Sequence, residues 1–207
     1  MTPIHQALID RFGEHRIIEI PVGENEMPLL ALNLETKSQV TVIVTNGLSN
    51  YQMSVPENLA GFEFNELYFC LPSYWNWEEL ENPQMNWIFP WIQRLAKHVI
   101  DKNSWFGHGH TIPCGKEMHA LSNTMLQNHF FLSHPILLEN ELAPISVNEK
   151  MVHFLAIIPI FGDEMDYKQG KGTLKLMRKF LSNGITEKLD DYRGTVLRSK
   201  WRFFKAN

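Results

Sequence analysis

Two histidines alternate with two glycines in Trp105-Phe106-Gly107-His108-Gly109-His110-Thr111-Ile112-Pro113, the segment of this 207-residue chain best equipped for chemistry. Imidazoles change charge near neutral pH and bind transition metals. Gly opens backbone conformations denied to other residues and Pro fixes φ, so the segment reads as a constrained loop. If the loop is extended, His108 and His110 project to one side across Gly109 and could share a metal, with His119 as a third ligand and Cys114 as a fourth. That arrangement would support a metal-dependent hydrolase. No carboxylate stands at a diagnostic spacing, however. The plainer reading has one imidazole capping backbone groups while the other is solvated. A Cys114–His nucleophilic pair is weaker still, because a lone Cys between Pro113 and Gly115 ordinarily just occupies a turn. The plainer reading predicts that His110 organises the loop through hydrogen bonds and that Gly109 adopts a conformation disfavouring a Cβ. It assigns no catalytic residue, no metal and no cofactor.

Other chemistries lack their motifs. No nucleophile elbow surrounds Ser49 in Asn46-Gly47-Leu48-Ser49-Asn50. Gly170-Lys171-Gly172-Thr173 lacks the upstream glycine of a phosphate-binding loop, and Gly107-x-Gly109 has no third glycine at the dinucleotide spacing. The aromatic residues Tyr74, Trp75, Trp77, Trp87, Trp91 and Trp105 crowd the middle third of the chain. Tyr74, Trp75 and Trp77 follow Pro72 in a loop, where they form either a lid over the core or anchors for a partner. The candidate binding residues are therefore Tyr74, Trp75, Trp77, Trp105, Gly107, Gly109 and His110.

Local patterns outline the elements that must position these residues. Thr2-Pro3 is a helix start, Ile4, Leu8 and Phe12 form its stripe, and Gly13 stops it. Strands are predicted over His15–Ile20, Leu29–Leu34, Val40–Thr45, Phe62–Leu71, Asn128–Leu138 and Met151–Ile160. Val40–Thr45 is β-branched and ends at the turn signal Asn46-Gly47. Met151–Ile160 is almost continuously apolar, as in a strand covered on both faces. A helix is predicted from Phe89-Pro90 through Asp101, with Trp91, Leu95 and Val99 on its core face and Ile92 beside them. Gly162-Asp163-Glu164 opens a short helix, and a further helix with Leu174, Met177 and Leu181 ends at Ser182-Asn183-Gly184. The pattern predicts one α+β domain over residues 1–207, a mixed β-sheet flanked by helices.

Composition bounds the remaining possibilities. The chain is 44% hydrophobic and 20% charged, the ordinary balance of a soluble globular protein. Its two cysteines make no disulfide framework, and Cys70 lies in an apolar run as a core thiol. Met1–Phe12 lacks the form of a signal peptide, and no apolar run approaches ~20 residues, so a cytoplasmic setting without membrane contact is expected. The net charge of −4 hides an asymmetry: from Lys168 onward there are eleven Lys/Arg against three Asp/Glu, and before it eight against twenty. The basic segment either contacts a partner or lies on the acidic body. Nucleic acid is disfavoured as that partner because no recognised motif accompanies the charge.

Several motifs occur in a specific order. They are Thr45-Asn46-Gly47-Leu48-Ser49, Glu66-Leu67-Tyr68-Phe69-Cys70-Leu71-Pro72, the Trp/Pro-headed helix, and Asn103 to Pro113. The apolar strand through Pro159, Gly172-Thr173-Leu174-Lys175-Leu176-Met177 and Asp190-Asp191-Tyr192-Arg193-Gly194 complete it. Over roughly Leu29 to Val196 this arrangement resembles the suppressor-of-fused domain family. The resemblance implies an α+β fold with a mixed sheet and a non-enzymatic protein-binding role. The animal member sequesters Gli transcription factors in Hedgehog signalling and holds the partner peptide as an added strand between two domains. This chain is too short for the second domain. Compact bacterial members have been proposed as immunity proteins, which implies here a partner protein, a toxin, neutralised by occlusion. Gly109 and His110 match the family's turn, whereas His108 is a less typical occupant, which ranks His110 ahead of His108.

Overall fold

A computed structural model of the chain describes residues 1–36, 38–115 and 117–197. Its centre is set by strands whose side chains alternate between two apolar faces. The strands are β1 (Ile17–Ile20), β2 (Leu29–Glu35), β3 (Gln39–Thr45), β4 (Asn65–Pro72), β5 (Thr111–Pro113), β6 (His129–Ser133), β7 (Ile145–Val147) and β8 (Lys150–Ile160). The order β1-β2-β3-β4-β8-β6-β5 runs across the sheet, and β7 pairs with the start of β8 outside this path. β4 and β8 are parallel, and the other pairs are antiparallel.

Period-two alternation assigns each residue to a face. Ile43, Leu67, Phe69, Leu71, Leu155 and Ile157 point to one core, while Val42, Val44, Tyr68, Cys70, Phe154, Ala156 and Ile158 point to the other. Both faces must therefore be covered. Helix α2 (Ile88–Asp101) covers the first with Ile88, Ile92, Leu95, Ala96 and Val99. The second is covered by α1 (Pro3–Phe12), through Ile4 and Leu8, and by α4 (Thr173–Ser182), through Leu176 and Phe180. Helix α3 (Gly162–Lys171) leads from β8 into α4. The fold is the predicted α+β arrangement, and Val40–Thr45, the core of Phe62–Leu71 and Met151–Pro159 share one sheet.

The first helix starts as its sequence dictates, with Thr2 Oγ1 accepting from His5 N and Pro3 opening the first turn. Other expectations need correction. Trp91 is only partly buried, at the rim of the α2 stripe, with its ring edge-on to Phe130 at 5.1 Å and Arg94 over it at 4.5 Å. Of the residues named on α4, Leu174 and Leu181 are 73% and 57% exposed and Met177 is partly buried against the core, while Leu176 and Phe180 face it fully. The predicted strand Asn128–Leu138 stops at Ser133 because the N–H groups of Ile136, Leu137 and Leu138 donate to the Glu187 carboxylate instead of a ladder. The predicted strand Phe62–Leu71 begins only at Asn65, whose side-chain amide donates to Phe62 O and closes a turn. β5 and β7, three residues each, are too short to show alternation in sequence. Part of the basic C-terminal segment, residues 198–207, lies outside the described residues.

Candidate functional site: the cavity beneath the glycine–histidine loop

Helix α2, 14 residues and so about 21 Å long, carries the chain from the C-terminal end of β4 back to its N-terminal end. There the glycine–histidine loop folds over the end of β6. His110 N donates to Gly107 O at 3.1 Å, Gly109 N to Leu132 O at 2.8 Å, and Leu132 N to His110 O at 2.9 Å. Gly109 has φ +89°, and a Cβ on it would lie 3.0 Å from Thr173 Oγ1, so both backbone strain and the approach of α4 call for glycine. At Gly107 a Cβ would meet the Trp105 ring at 2.7 Å.

The loop is a turn, and its two imidazoles part company. His110 packs against Trp105, with ring centroids 4.2 Å apart. His108 stacks on His134, with centroids 5.1 Å apart and planes within 3°. The backbone N–H of His134 donates to His108 Nδ1 at 3.3 Å. The shared-metal geometry that an extended loop would have given His108 and His110 therefore does not form. Among the described residues no three His, Cys, Asp or Glu side chains are grouped to hold a metal. His119 is exposed and pairs with Glu117 at 2.6 Å. Burial pushes the Cys114 thiol up to about 12, against the opposing pull of Arg94, which leaves no thiolate for nucleophilic chemistry. The ring that hydrogen-bonds the loop to its neighbours belongs to His108. His110 organises the loop through the hydrogen bonds of its backbone, and its ring packs on aromatics.

Beneath the loop is a cavity of about 210 Å³. Phe62, Trp105, Phe106 and Leu155 supply apolar walls, and Asn65, His108 and His134 supply polar atoms. Behind Phe62, His153 packs at 4.5 Å between ring centroids, with its Nε2 on Gly61 O at 3.0 Å. The aromatic candidates thus separate. Trp105 and Gly107 line this cavity, whereas Tyr74, Trp75 and Trp77 follow the opposite end of β4, seven strand steps or about 23 Å away. Trp75 is 3% exposed, packed edge-on to Trp87 at 5.9 Å, with its Nε1 donating to Met85 O. As a surface anchor it is corrected: it belongs to the core. Trp77 is half-buried against the same core, and Tyr74 is 50% exposed with its hydroxyl on Asp191 at 2.7 Å.

The family model for the suppressor of fused protein matches residues 23–193. This chain belongs to the suppressor-of-fused family. Solved structures with the same fold include a suppressor-of-fused homologue from Neisseria gonorrhoeae FA 1090, with TM-score 0.66 and 18% identity over 95% of this chain and 96% of that one. The Sufu–Fu complex is similar at TM-score 0.63 and 13% identity, over 94% of this chain and 89% of that one. Drosophila Suppressor of Fused matches at TM-score 0.56 and 16% identity, over 87% of this chain but 42% of its own length. No curated protein matches the chain.

In this suppressor-of-fused domain the widely spaced motifs meet through three buried glutamates. Glu66, on β4, accepts from Gly47 N (3.1 Å), Leu48 N (3.2 Å), Ser49 N (3.0 Å), Ser49 Oγ (2.6 Å) and Thr45 Oγ1. Burial pushes its carboxyl up, and the hydrogen bonds from Ser49, Thr45 and Gly47 pull it back. Glu187 collects the three N–H groups just after His134 and the Tyr68 hydroxyl, which fixes the strand end that carries this cavity residue. Glu164, fully buried, pairs with Arg193 and caps its own helix by accepting from Phe161 N. Sequence reasoning missed these roles, together with His134, His153 and Phe62. Glu66 had left a signal, a charge interrupting an apolar run. Glu164 sat at the third position of a helix start, where a capping carboxylate belongs. His134 and His153 had none, because only strand pairing unites them.

The imidazoles make stability depend on pH. Burial, then His108 and His153, hold His134 down to about 4. Burial also lowers His108, His110, His129 and His153, with Lys168 adding to the effect on His110 and Asp166 opposing it on His129. The Gly61 carbonyl and Glu63 oppose it on His153. A depressed imidazole pKa means that the folded state binds fewer protons than the unfolded one, so the stability it represents is present above about 6.5 and drains away as pH falls toward 4. With its partial exposure discounted, His134 accounts for on the order of 1 kcal/mol of this. Urea midpoints should be level above pH 7 and fall between pH 6.5 and 4, with a shallower fall in His134→Asn. A midpoint that rises on acidification would contradict the assignment.

Proposed function

We propose that this chain is a non-enzymatic protein-binding domain that acts in the bacterial cytoplasm and neutralises a toxin by covering its active or recognition surface. The observation that carries this reading is the cavity beneath the glycine–histidine loop. A loop hydrogen-bonded to β6 and closely approached by Thr173 of α4 presents a preformed hollow with apolar walls, as an interface pocket requires. Family membership and the likeness to the Sufu–Fu complex support a protein as the partner. Within the docking face, Trp105, Gly107 and Gly109 shape the loop and His110 buttresses it through Trp105. Tyr74 and Trp77 form a second contact at the far end of β4. The acidic body, with twenty Asp/Glu before Lys168, would speed association with a basic partner. The cytoplasmic placement rests on the two free thiols, and among the described residues no helix is long and apolar enough to cross a membrane.

Capture of partners from the native host with the purified chain as bait, identified by mass spectrometry and followed by calorimetric titration, tests the proposal. The expected result is one partner bound at 1:1 stoichiometry, its activity abolished in proportion to occupancy. Catalytic turnover of a captured protein or small molecule at substoichiometric amounts of the chain would overturn it.

A further inference from the structure

The cavity beneath the loop has the size of a single aromatic ring. An apolar cavity of ~150 Å³ admits benzene, and this one is about 210 Å³. Its walls, Phe62, Trp105, Phe106 and Leu155, offer ring faces and edges against which a planar guest packs. Its polar character is specific. His108 Nδ1 already accepts from the backbone of His134, so the proton of the neutral His108 ring sits on Nε2. Neither ring nitrogen of His134 has a hydrogen-bond partner among the described residues, and a neutral imidazole always keeps one nitrogen as an acceptor. We propose that this cavity binds one phenol ring, the ring packing against the apolar walls and the hydroxyl donating to His134. The inference rests on the protein-binding reading for its natural source, a tyrosine side chain of the partner, and it names what that site takes.

The guest's chemistry follows from what the lining leaves unmatched. A benzyl ring would fill the space but bury the free acceptor of His134, and an unmatched buried polar atom weakens binding. A cationic guest would face the imidazoles of His108, His134 and His153, on which, among the described residues, Glu63 beside His153 is the one carboxylate to act. A phenol matches both the walls and the acceptor.

The test uses the intact chain and needs no partner. NMR titration with p-cresol should shift resonances of Phe62, Trp105, His108 and His134 and saturate with a dissociation constant of about 1 mM or tighter. Toluene should bind about tenfold more weakly. His134→Phe should lose about tenfold for p-cresol and nothing for toluene. Leu59→Trp, which fills the cavity from its partly exposed rim, should abolish both while the fold survives. N-acetyl-tyrosinamide separates the sources: binding comparable to p-cresol supports a side chain presented by a protein, and its exclusion while p-cresol binds supports a free phenol and overturns the tyrosine source. No saturable p-cresol shift at these residues, or equal affinity for toluene and p-cresol, overturns the proposal. Failure to capture a toxin would defeat the proposed function and leave this result standing.

Discussion

Glu66→Ala is expected to lower the stability of the domain by about 4–6 kcal/mol, a large part of the 5–15 kcal/mol typical of a folded domain. The Glu66 carboxylate is fully buried and accepts five hydrogen bonds, three from the consecutive backbone N–H groups of Gly47, Leu48 and Ser49. Removing it strands those donors together with the hydroxyl of Ser49, while Thr45 Oγ1 keeps Leu67 O at 3.4 Å, and each buried donor left unpaired costs about 1–3 kcal/mol. Some recover by admitting water, which keeps the total below the simple sum. Glu66→Gln is the sharper variant. It keeps the shape but replaces one acceptor oxygen with an NH₂ group, and both oxygens of Glu66 receive donors, so no amide orientation fits. A cost of about 2–3 kcal/mol is expected, read from urea unfolding. Wild-type stability in Glu66→Gln would show that the five-donor cluster does not hold the loop.

Arg193→Ala should cost about 3–5 kcal/mol, because it leaves the Glu164 carboxylate charged, buried and without its cation. The pair is bidentate, at 2.8 and 2.9 Å, and the guanidinium also donates to Pro159 O at 2.7 Å while lying over the Phe161 ring at 5.0 Å. Replacing both residues by Met should recover much of the loss, since desolvating the two charges cancels a large share of their attraction. It cannot recover all of it, because Glu164 also accepts from Phe161 N and Val196 N. A double-mutant cycle with coupling below ~1 kcal/mol would place the effect of Arg193 in its packing on Phe161 and Phe180 instead.

Both predictions concern residues on motifs that suggested the family. Thr45 to Ser49 and Glu66 to Pro72 are separate stretches in sequence, and Glu66 joins them in space. Arg193 of the Asp190–Gly194 stretch closes onto the start of α3. The order of those motifs was readable, but the reason they travel together was not, because a buried carboxylate and the N–H groups it satisfies share no periodicity. The facing of α4 has a related origin. Leu174, Leu176, Met177, Phe180 and Leu181 allow two apolar stripes, and the helix turned the one carrying the large Phe180 ring inward.

What the sequence by itself determined is whatever burial writes locally. The nearly continuous apolar runs of β3, β4 and β8 demanded a sheet covered on both faces. Thr2-Pro3 and the α2 stripe set helices to cover it, and Gly109 declared a position where a side chain would be strained. Tertiary structure alone decided which side chains meet. The pairing of β6 with β8 and of β8 with β4 brought His134 and His153 together beside Phe62, and the turn at Gly109 carried His108 away from His110. The return path of α2 set the Tyr74–Trp77 loop and the glycine–histidine loop at opposite ends of one strand. Such juxtapositions follow from the register between segments tens of residues apart. Register is a property of the assembled sheet, set by the fit of two buried faces, and no local pattern of residue types encodes it.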